Sequence, residues 1–229
     1  MSERILVVAA HPDDELLGAG GTIAARVAKG DEAFALILGE GQTSRWESRE
    51  EAPQEVLSAL HGDSFKAAKE IGFRDILFED LPDNRFDSVA LLDIVKPIEA
   101  LIDELQPSVI YTHHGGDLNI DHQCAFRAVL TATRPMSDCP VREVYAFETL
   151  SATEWNLGDP AVAFAPNVFC DITDTIETKC RGLECYETEL RDFPHPRSAG
   201  GIKALAAYRG SISGFKYAEA FQLVRMLRP

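Results

Sequence analysis

Residues 5–22, ILVVAAHPDDELLGAGGT, decide how the rest of the chain is read. The opening apolar run shows no alternation, the pattern of a strand buried on both faces in a parallel sheet. It stops at a histidine, a proline and consecutive acids, His11 through Glu15. Like charges crowded at a strand end repel one another and add nothing to a core, so the segment calls for a positive partner. Ligands of open α/β sheets bind beyond the carboxyl ends of the strands, where these acids stand. Gly18, Gly20 and Gly21 follow, but they fit neither the P-loop nor the GxGxxG fingerprint at the right offset. They point instead to a helix packed closely on the sheet.

Outward from this segment, strands and helices alternate. Residues 16–29 predict a helix stopped by Gly30, and residues 33–38 a second strand that opens into a polar loop. Residues 54–71 predict a helix with a break at His61, Gly62 and Asp63, followed by a brief strand at 76–78. Residues 89–105 are amphipathic, with Leu92, Val95, Ile98, Leu101, Ile102 and Leu105 at helical spacing. Pro107 ends that helix and residues 109–112 predict the next strand. The order β-α-β-α-β-α-β predicts an α/β fold with a mainly parallel sheet and right-handed crossovers. Strands at 143–147 and 168–171, a helix at 173–190, and short helices near 203–209 and 217–225 complete one expected domain over residues 1–229.

Composition limits the partners. The chain has 229 residues, 45% of them hydrophobic and 26% charged, which is ordinary for a globular protein. A net charge of −15 argues against nucleic acid or an anionic membrane surface as the partner. The beginning of the sequence lacks the basic segment and apolar run of a secretory signal, and no stretch approaches a membrane span. The expectation is a soluble, cytoplasmic protein acting on a small molecule, with its oligomeric state, a homo-oligomer included, left open. The five cysteines are odd in number and form no CxxC pair, so reduced thiols are expected.

A divalent metal resolves the charge problem at the first strand end. His11 and Asp14 offer an imidazole nitrogen and a carboxylate oxygen, both good zinc ligands. A catalytic zinc needs a further protein ligand, and the strand at 109–112 leads into THHGGDLNIDHQ, residues 112–123. That stretch holds His113, His114, Asp117, Asn119, Asp121 and His122. Within it, Asp121 is also suited to being a simple helix cap.

Together, AAHPDDELLGAGGT and THHGGDLNIDHQ resemble the two motifs of the LmbE-like, or PIG-L, family of metal-dependent N-deacetylases. The resemblance extends to LPDNRFD, FPHPRS and YAEAFQLVR, and so touches most of the chain. It implies a Rossmann-like three-layer sandwich and removal of acetyl from an N-acetylglucosamine derivative or a related glycoconjugate. It also implies zinc held by His11, Asp14 and His122, with Asp13 as the general base. The ligand set itself suits Fe²⁺ or another divalent ion as well.

This chain departs from the resemblance at two places. Many members carry a histidine where this chain has Asn119, which can donate a hydrogen bond to an oxyanion but cannot transfer a proton. Asp13, His195, His113 and His114 are then the candidates for protonating the leaving amine. Many members also carry a substrate-binding arginine on the helix after the second strand, where Leu60 and His61 stand here, and Arg45, Arg49 and Arg85 are the candidates to replace it. His195 sits between prolines in a stiffened loop, as acid or substrate contact. Arg197 is suited to a substrate carboxylate or phosphate, or to an ion pair. Asp83, Arg85 and His114 complete the expected substrate contacts. Two other readings stay open, a hydrolase of another acylamide and a non-catalytic metal-containing sugar-binding protein. Retention of Asp13, which is not a ligand, argues against the last.

Overall fold

The computed structural model describes residues 2–47, 49–158 and 160–228. Met1, Ser48, Asp159 and Pro229 lie outside the described residues, and with them the two ends of the expected 1–229 domain. Seven strands form one sheet: β1 (Arg4–Ala9), β2 (Glu32–Gly39), β3 (Asp75–Leu81), β4 (Val109–His113), β5 (Glu143–Phe147), β6 (Val168–Asp171) and β7 (Ala218–Met226). Their order across the sheet is β3-β2-β1-β4-β5-β7-β6. The first five run parallel, and β7 lies antiparallel between β5 and β6.

The unbroken apolar run of β1 divides its side chains between two cores, as a strand with a period of two must. Ile5, Val7 and Ala9 face a core shared with α1 (Asp14–Ala28), α2 (Gln54–Ile71), α5 (Ile176–Glu184) and α6 (Ala199–Ser213). Leu6, Val8 and Ala10 face a second core with α3 (Leu91–Leu105) and α4 (Ile120–Ala132). The result is the three-layer, mainly parallel α/β architecture expected from the sequence. Close approach explains Gly18: a Cβ there would stand 2.2 Å from the Phe147 ring, so only glycine lets α1 settle on β5.

Residues 217–225, expected to be helical, form β7 instead. Alanines and a glutamate favour a helix locally, but the segment fills the gap between β5 and β6. Its Glu219 accepts backbone N–H bonds from Gly21 at 2.9 Å and Thr22 at 2.7 Å, and Lys179 Nζ lies 2.7 Å away. The expected break in α2 does not occur: the helix runs through Gly62, and His61 stacks on Phe78 at 4.2 Å. The helix expected over 173–190 stops at Glu184, and that near 203–209 extends to Ala199–Ser213, capped by Ser198.

From β1 the chain winds through β2 to β3 on one side, then crosses to β4 and β5 on the other. The carboxyl ends of β1 and β4 thus flank the topological switch point, the natural crevice of such a sheet. Residues 11–14 leave β1 there, and His113 through His122 lead from β4 into α4.

Candidate active site

His11, Asp14 and His122 converge, with one ligand atom from each lying within 4.8 Å of the others. His11 Nδ1 and His122 Nε2 each stand 3.2 Å from Asp14 Oδ2. Donors bound to one zinc at ~2.0–2.2 Å would be spaced at roughly this distance. Three buried atoms here, Asp14 Oδ1 and both ring nitrogens of His122, have no hydrogen-bond partner among the described residues. An orphaned carboxylate oxygen and an orphaned imidazole nitrogen side by side are costly unless a cation completes them. The donor set therefore fits a divalent metal.

Carboxylates behind the imidazoles fix their orientation. Asp121 Oδ2 lies 2.9 Å from His11 Nε2 and Asp83 Oδ1 3.2 Å, so that nitrogen carries the hydrogen and Nδ1 is left for a metal. Asp117 Oδ1 lies 3.2 Å from His122 Nδ1, an ion-pair distance without hydrogen-bond geometry, and its charge favours the proton on that nitrogen, leaving Nε2 for a metal. Burial pushes the His11 pKa down, but Asp121, Asp14 and Asp83 outweigh it and hold it well above the usual histidine value. His122 is also raised, burial being outweighed by Asp14 and Asp117. Burial alone would raise Asp14, yet His122, His11 and His113 hold it well below the ordinary carboxylate range. These directions show imidazoles and carboxylates packed closely enough to stabilise one another's charge.

A second acid and histidine set, His11 with Asp83 and Asp121, also lies close together. Asp121 is already committed, however. It accepts backbone N–H bonds from Asn84 at 2.6 Å and from Phe86 at 2.9 Å, joining α4 to the turn after β3. The cap of α4 is Asn119, whose side-chain oxygen accepts from the Asp121 N–H at 2.8 Å.

Above this cluster lies an open cleft of about 160 Å³, whose lining includes His11, Asp13, Asp83, Asn119 and Arg197. Asp14 and His122 are buried beneath its floor. Asp13 is held in the left-handed region, φ 98°, at the start of α1. Its Oδ2 accepts from Arg197 Nη1 at 2.7 Å. Burial raises its pKa well above the ordinary carboxylate value, against the pull of Arg197, and Asp14, Glu189 and Glu15 add to the rise. Asn119 Nδ2 donates to Asn84 Oδ1 at 3.2 Å, which leaves its second hydrogen for a ligand.

Three of the expected contacts are not among the residues lining this cleft. His114 turns to the carbonyl of Val162, 2.7 Å from its Nε2, and meets Phe164 edge-on. Arg85 is exposed and lines the adjoining hollow. His195 Nδ1 accepts the Arg197 N–H at 3.1 Å while its ring meets Trp155 edge-on. His113 is fully buried: Nε2 accepts the Ala10 N–H at 2.9 Å, so the hydrogen sits on Nδ1, toward Thr149 Oγ1. Burial and the neighbouring His122 lower its pKa well below the usual histidine value, so His113 stays neutral.

Sequence reasoning did not single out Glu189, Gln42 or the supporting role of Asp117. Glu189 and Gln42 reach the cleft from distant loops and carry no motif. Asp117 alone had a signal, its place within the second motif.

The family model described as "PIG-L: GlcNAc-PI de-N-acetylase" matches residues 6–133, more than half of the chain. The chain belongs to the PIG-L family. Among curated proteins, it is 30% identical over 204 residues to the probable N-acetyl-alpha-D-glucosaminyl L-malate deacetylase 2 of Bacillus cereus, covering 82% of this chain and 84% of that one. It is 24% identical to diacetylchitobiose deacetylase of Thermococcus kodakarensis, covering 97% of this chain and 83% of the other. Both relatives are named as deacetylases. Among solved structures, the conserved protein TT1542 from Thermus thermophilus superposes with a TM-score of 0.76 at 22% identity, over 100% of this chain and 97% of that one. The 4-carboxy-2-hydroxymuconate hydratase GalB from Pseudomonas putida matches with a TM-score of 0.77 at 22% identity, over 99% and 98% of the two chains. The fold is thus shared by a hydratase, and the chemistry has to be argued from the site.

Proposed function

We propose that this protein is a metal-dependent N-deacetylase of an N-acetylated amino sugar, built as a single domain, with zinc as the expected ion. The observation that carries the reading is the pair of orphaned donors on Asp14 and His122, beside His11 and beneath a cleft that contains Asp13. The names of the curated relatives support the acetamido-sugar substrate class.

His11, Asp14 and His122 hold the metal, which supplies Lewis acidity toward the amide carbonyl and the attacking water. Asp13, at the cleft surface, accepts the proton of that water. Arg197 fixes the Asp13 carboxylate through Oδ2. Asn119 is placed to give a hydrogen bond from Nδ2 to the oxygen that gains charge as the carbonyl is attacked. The C–N bond then breaks, acetate departs, and the amine takes up a proton. His113 has no free acid to give, being neutral with both nitrogens engaged. Asp13 returning its proton is the shortest route, with His195 the alternative from the neighbouring loop.

The test is metal analysis of the purified protein combined with acetate release from a panel of N-acetyl sugars. Activity lost on chelation and restored by Zn²⁺ is the expected result. Acetate release unaffected by chelation, or none from any acetamido sugar with the metal bound, refutes the reading.

A further inference from the structure

The cleft's cations are already spoken for by its own acids. Arg45 Nη2 lies 2.8 Å from both carboxylate oxygens of Glu189. Arg197 donates through Nη1 to Asp13 and, through Nε, to Ser151 Oγ at 2.8 Å. These are the guanidiniums that line the cleft among the described residues. Carboxylates outnumber them: Asp13, Asp83 and Glu189 line it, with Asp14, Asp117 and Asp121 directly behind. A divalent ion does not reverse that excess. The wall supplied by α2 is Leu60, which brings no charge.

Resting on the deacetylase reading, we infer that the cleft selects an uncharged N-acetyl amino sugar and rejects one bearing a carboxylate or phosphate on the ring that is deacetylated. Sugar hydroxyls can donate hydrogen bonds, and the lining is rich in acceptors. Asp83 and Glu189 accept only, with lone-pair capacity beyond the bonds they take from Ser44, Asn84, Gln42 and Arg45, and Gln42, whose Nε2 donates to Thr188 Oγ1 at 2.7 Å and to Glu189, has no partner on its amide oxygen among the described residues. Carboxylates and phosphates bring chiefly acceptors to the same wall. Such a group would gain Arg45 only by displacing Glu189, whose charge would then face it directly.

The test compares acetate release by the zinc-loaded protein from N-acetylglucosamine and N,N'-diacetylchitobiose with that from N-acetylmuramic acid and N-acetylglucosamine 6-phosphate. The neutral pair is expected to have kcat/KM at least about tenfold higher, since like charges brought together are costly, with the difference carried mainly by KM. The gap should narrow as ionic strength rises and screens the cleft. Glu189→Gln, checked for folding by circular dichroism, frees Arg45 and should raise the anionic sugars relative to the neutral ones by roughly 5–10-fold. Equal or better turnover of the anionic sugars by the unaltered protein overturns the inference, as does an unchanged ratio in folded Glu189→Gln. Should no sugar release acetate, the deacetylase reading fails and calorimetric binding of the same four sugars decides the selectivity separately. Tighter binding of the neutral pair supports it, and equal or weaker binding, or none, overturns it.

Discussion

Asp121 is the residue whose removal should cost most for its size. Its carboxylate serves three groups from two other parts of the chain: His11 Nε2 after β1, and the backbone N–H groups of Asn84 and Phe86 in the turn after β3. Asp121→Ala leaves the buried Phe86 N–H without an acceptor, a penalty of about 1–3 kcal/mol, and the less buried Asn84 N–H with a smaller one. Together a loss of roughly 2–4 kcal/mol is expected, a large share of the ~5–15 kcal/mol by which domains are stable. At this chain length that lowers the melting temperature by roughly 5–15 °C. His11 also loses the partner that sets its orientation, so metal affinity should fall by about 10–100-fold. Asp121→Asn keeps the shape and one acceptor oxygen, and should fall between the two. Urea unfolding of metal-stripped protein measures the first effect, and competition with a chromophoric chelator the second. A loss below about 0.5 kcal/mol with unchanged metal affinity would refute the view that this carboxylate locks the two motifs together.

Alanine in place of Asp14 or His122 should strip the metal from a protein that still folds, read by elemental analysis and circular dichroism. Asp13→Asn should retain metal yet lose about 10²–10⁴-fold in turnover, and near-normal acetate release would remove Asp13 from the proton pathway. Lys179→Ala should cost about 3–5 kcal/mol in urea unfolding, because it leaves Glu219 buried without its counter-ion, and a cost under about 1 kcal/mol would show Glu219 satisfied by Gly21 and Thr22 alone. Burial raises the pKa of Glu15 from 4.5 to about 7, against the hydrogen bond from Tyr186. Between these values the unfolded chain has released the proton that the fold still holds, so this group lowers stability as pH rises, by about 3 kcal/mol in all. In metal-free protein, Glu15→Gln should flatten that decline, and an unchanged slope of stability against pH would count against the raised pKa.

What the sequence made legible was local. The apolar run of β1, the spacing of α3 and the histidines at the end of β4 and beyond each carry their signal within a few neighbours, and each appears where expected, except that Leu92 of the α3 stripe is exposed and Ile94 is buried in the core instead. Contacts between distant segments carry no such signal. Arg197 and Asp13 are 184 positions apart. Asp121 resembles a helix cap in sequence, but Asn119 takes that place and leaves Asp121 to reach the turn after β3. The segment that became β7 shows a tertiary override: Ala218, Glu219 and Ala220 favour a helix alone, while pairing on both edges and a buried Lys179–Glu219 contact outweigh a propensity worth only ~0.5 kcal/mol per residue.

The consecutive acids after β1 answer to a single geometric fact, that adjacent residues at the start of a helix point in different directions. Asp14, the first residue of α1, faces the histidines. Glu15 faces the opposite core region, where Tyr186 donates to its Oε1 at 2.6 Å and the Asp13 N–H to its Oε2 at 3.0 Å. Asp13 could not face the cleft from an ordinary helical start. It is turned there by a left-handed backbone that costs a non-glycine residue about 1–3 kcal/mol. Glu15 holds its N–H, Leu16 and Leu17 donate to its carbonyl, and Arg197 holds its carboxylate, so the strained conformation is fixed from every side. A core-forming segment would gain nothing from such strain. The strain fits the role proposed for Asp13, which is to present its carboxylate to a ligand beside the proposed metal ligands without joining them.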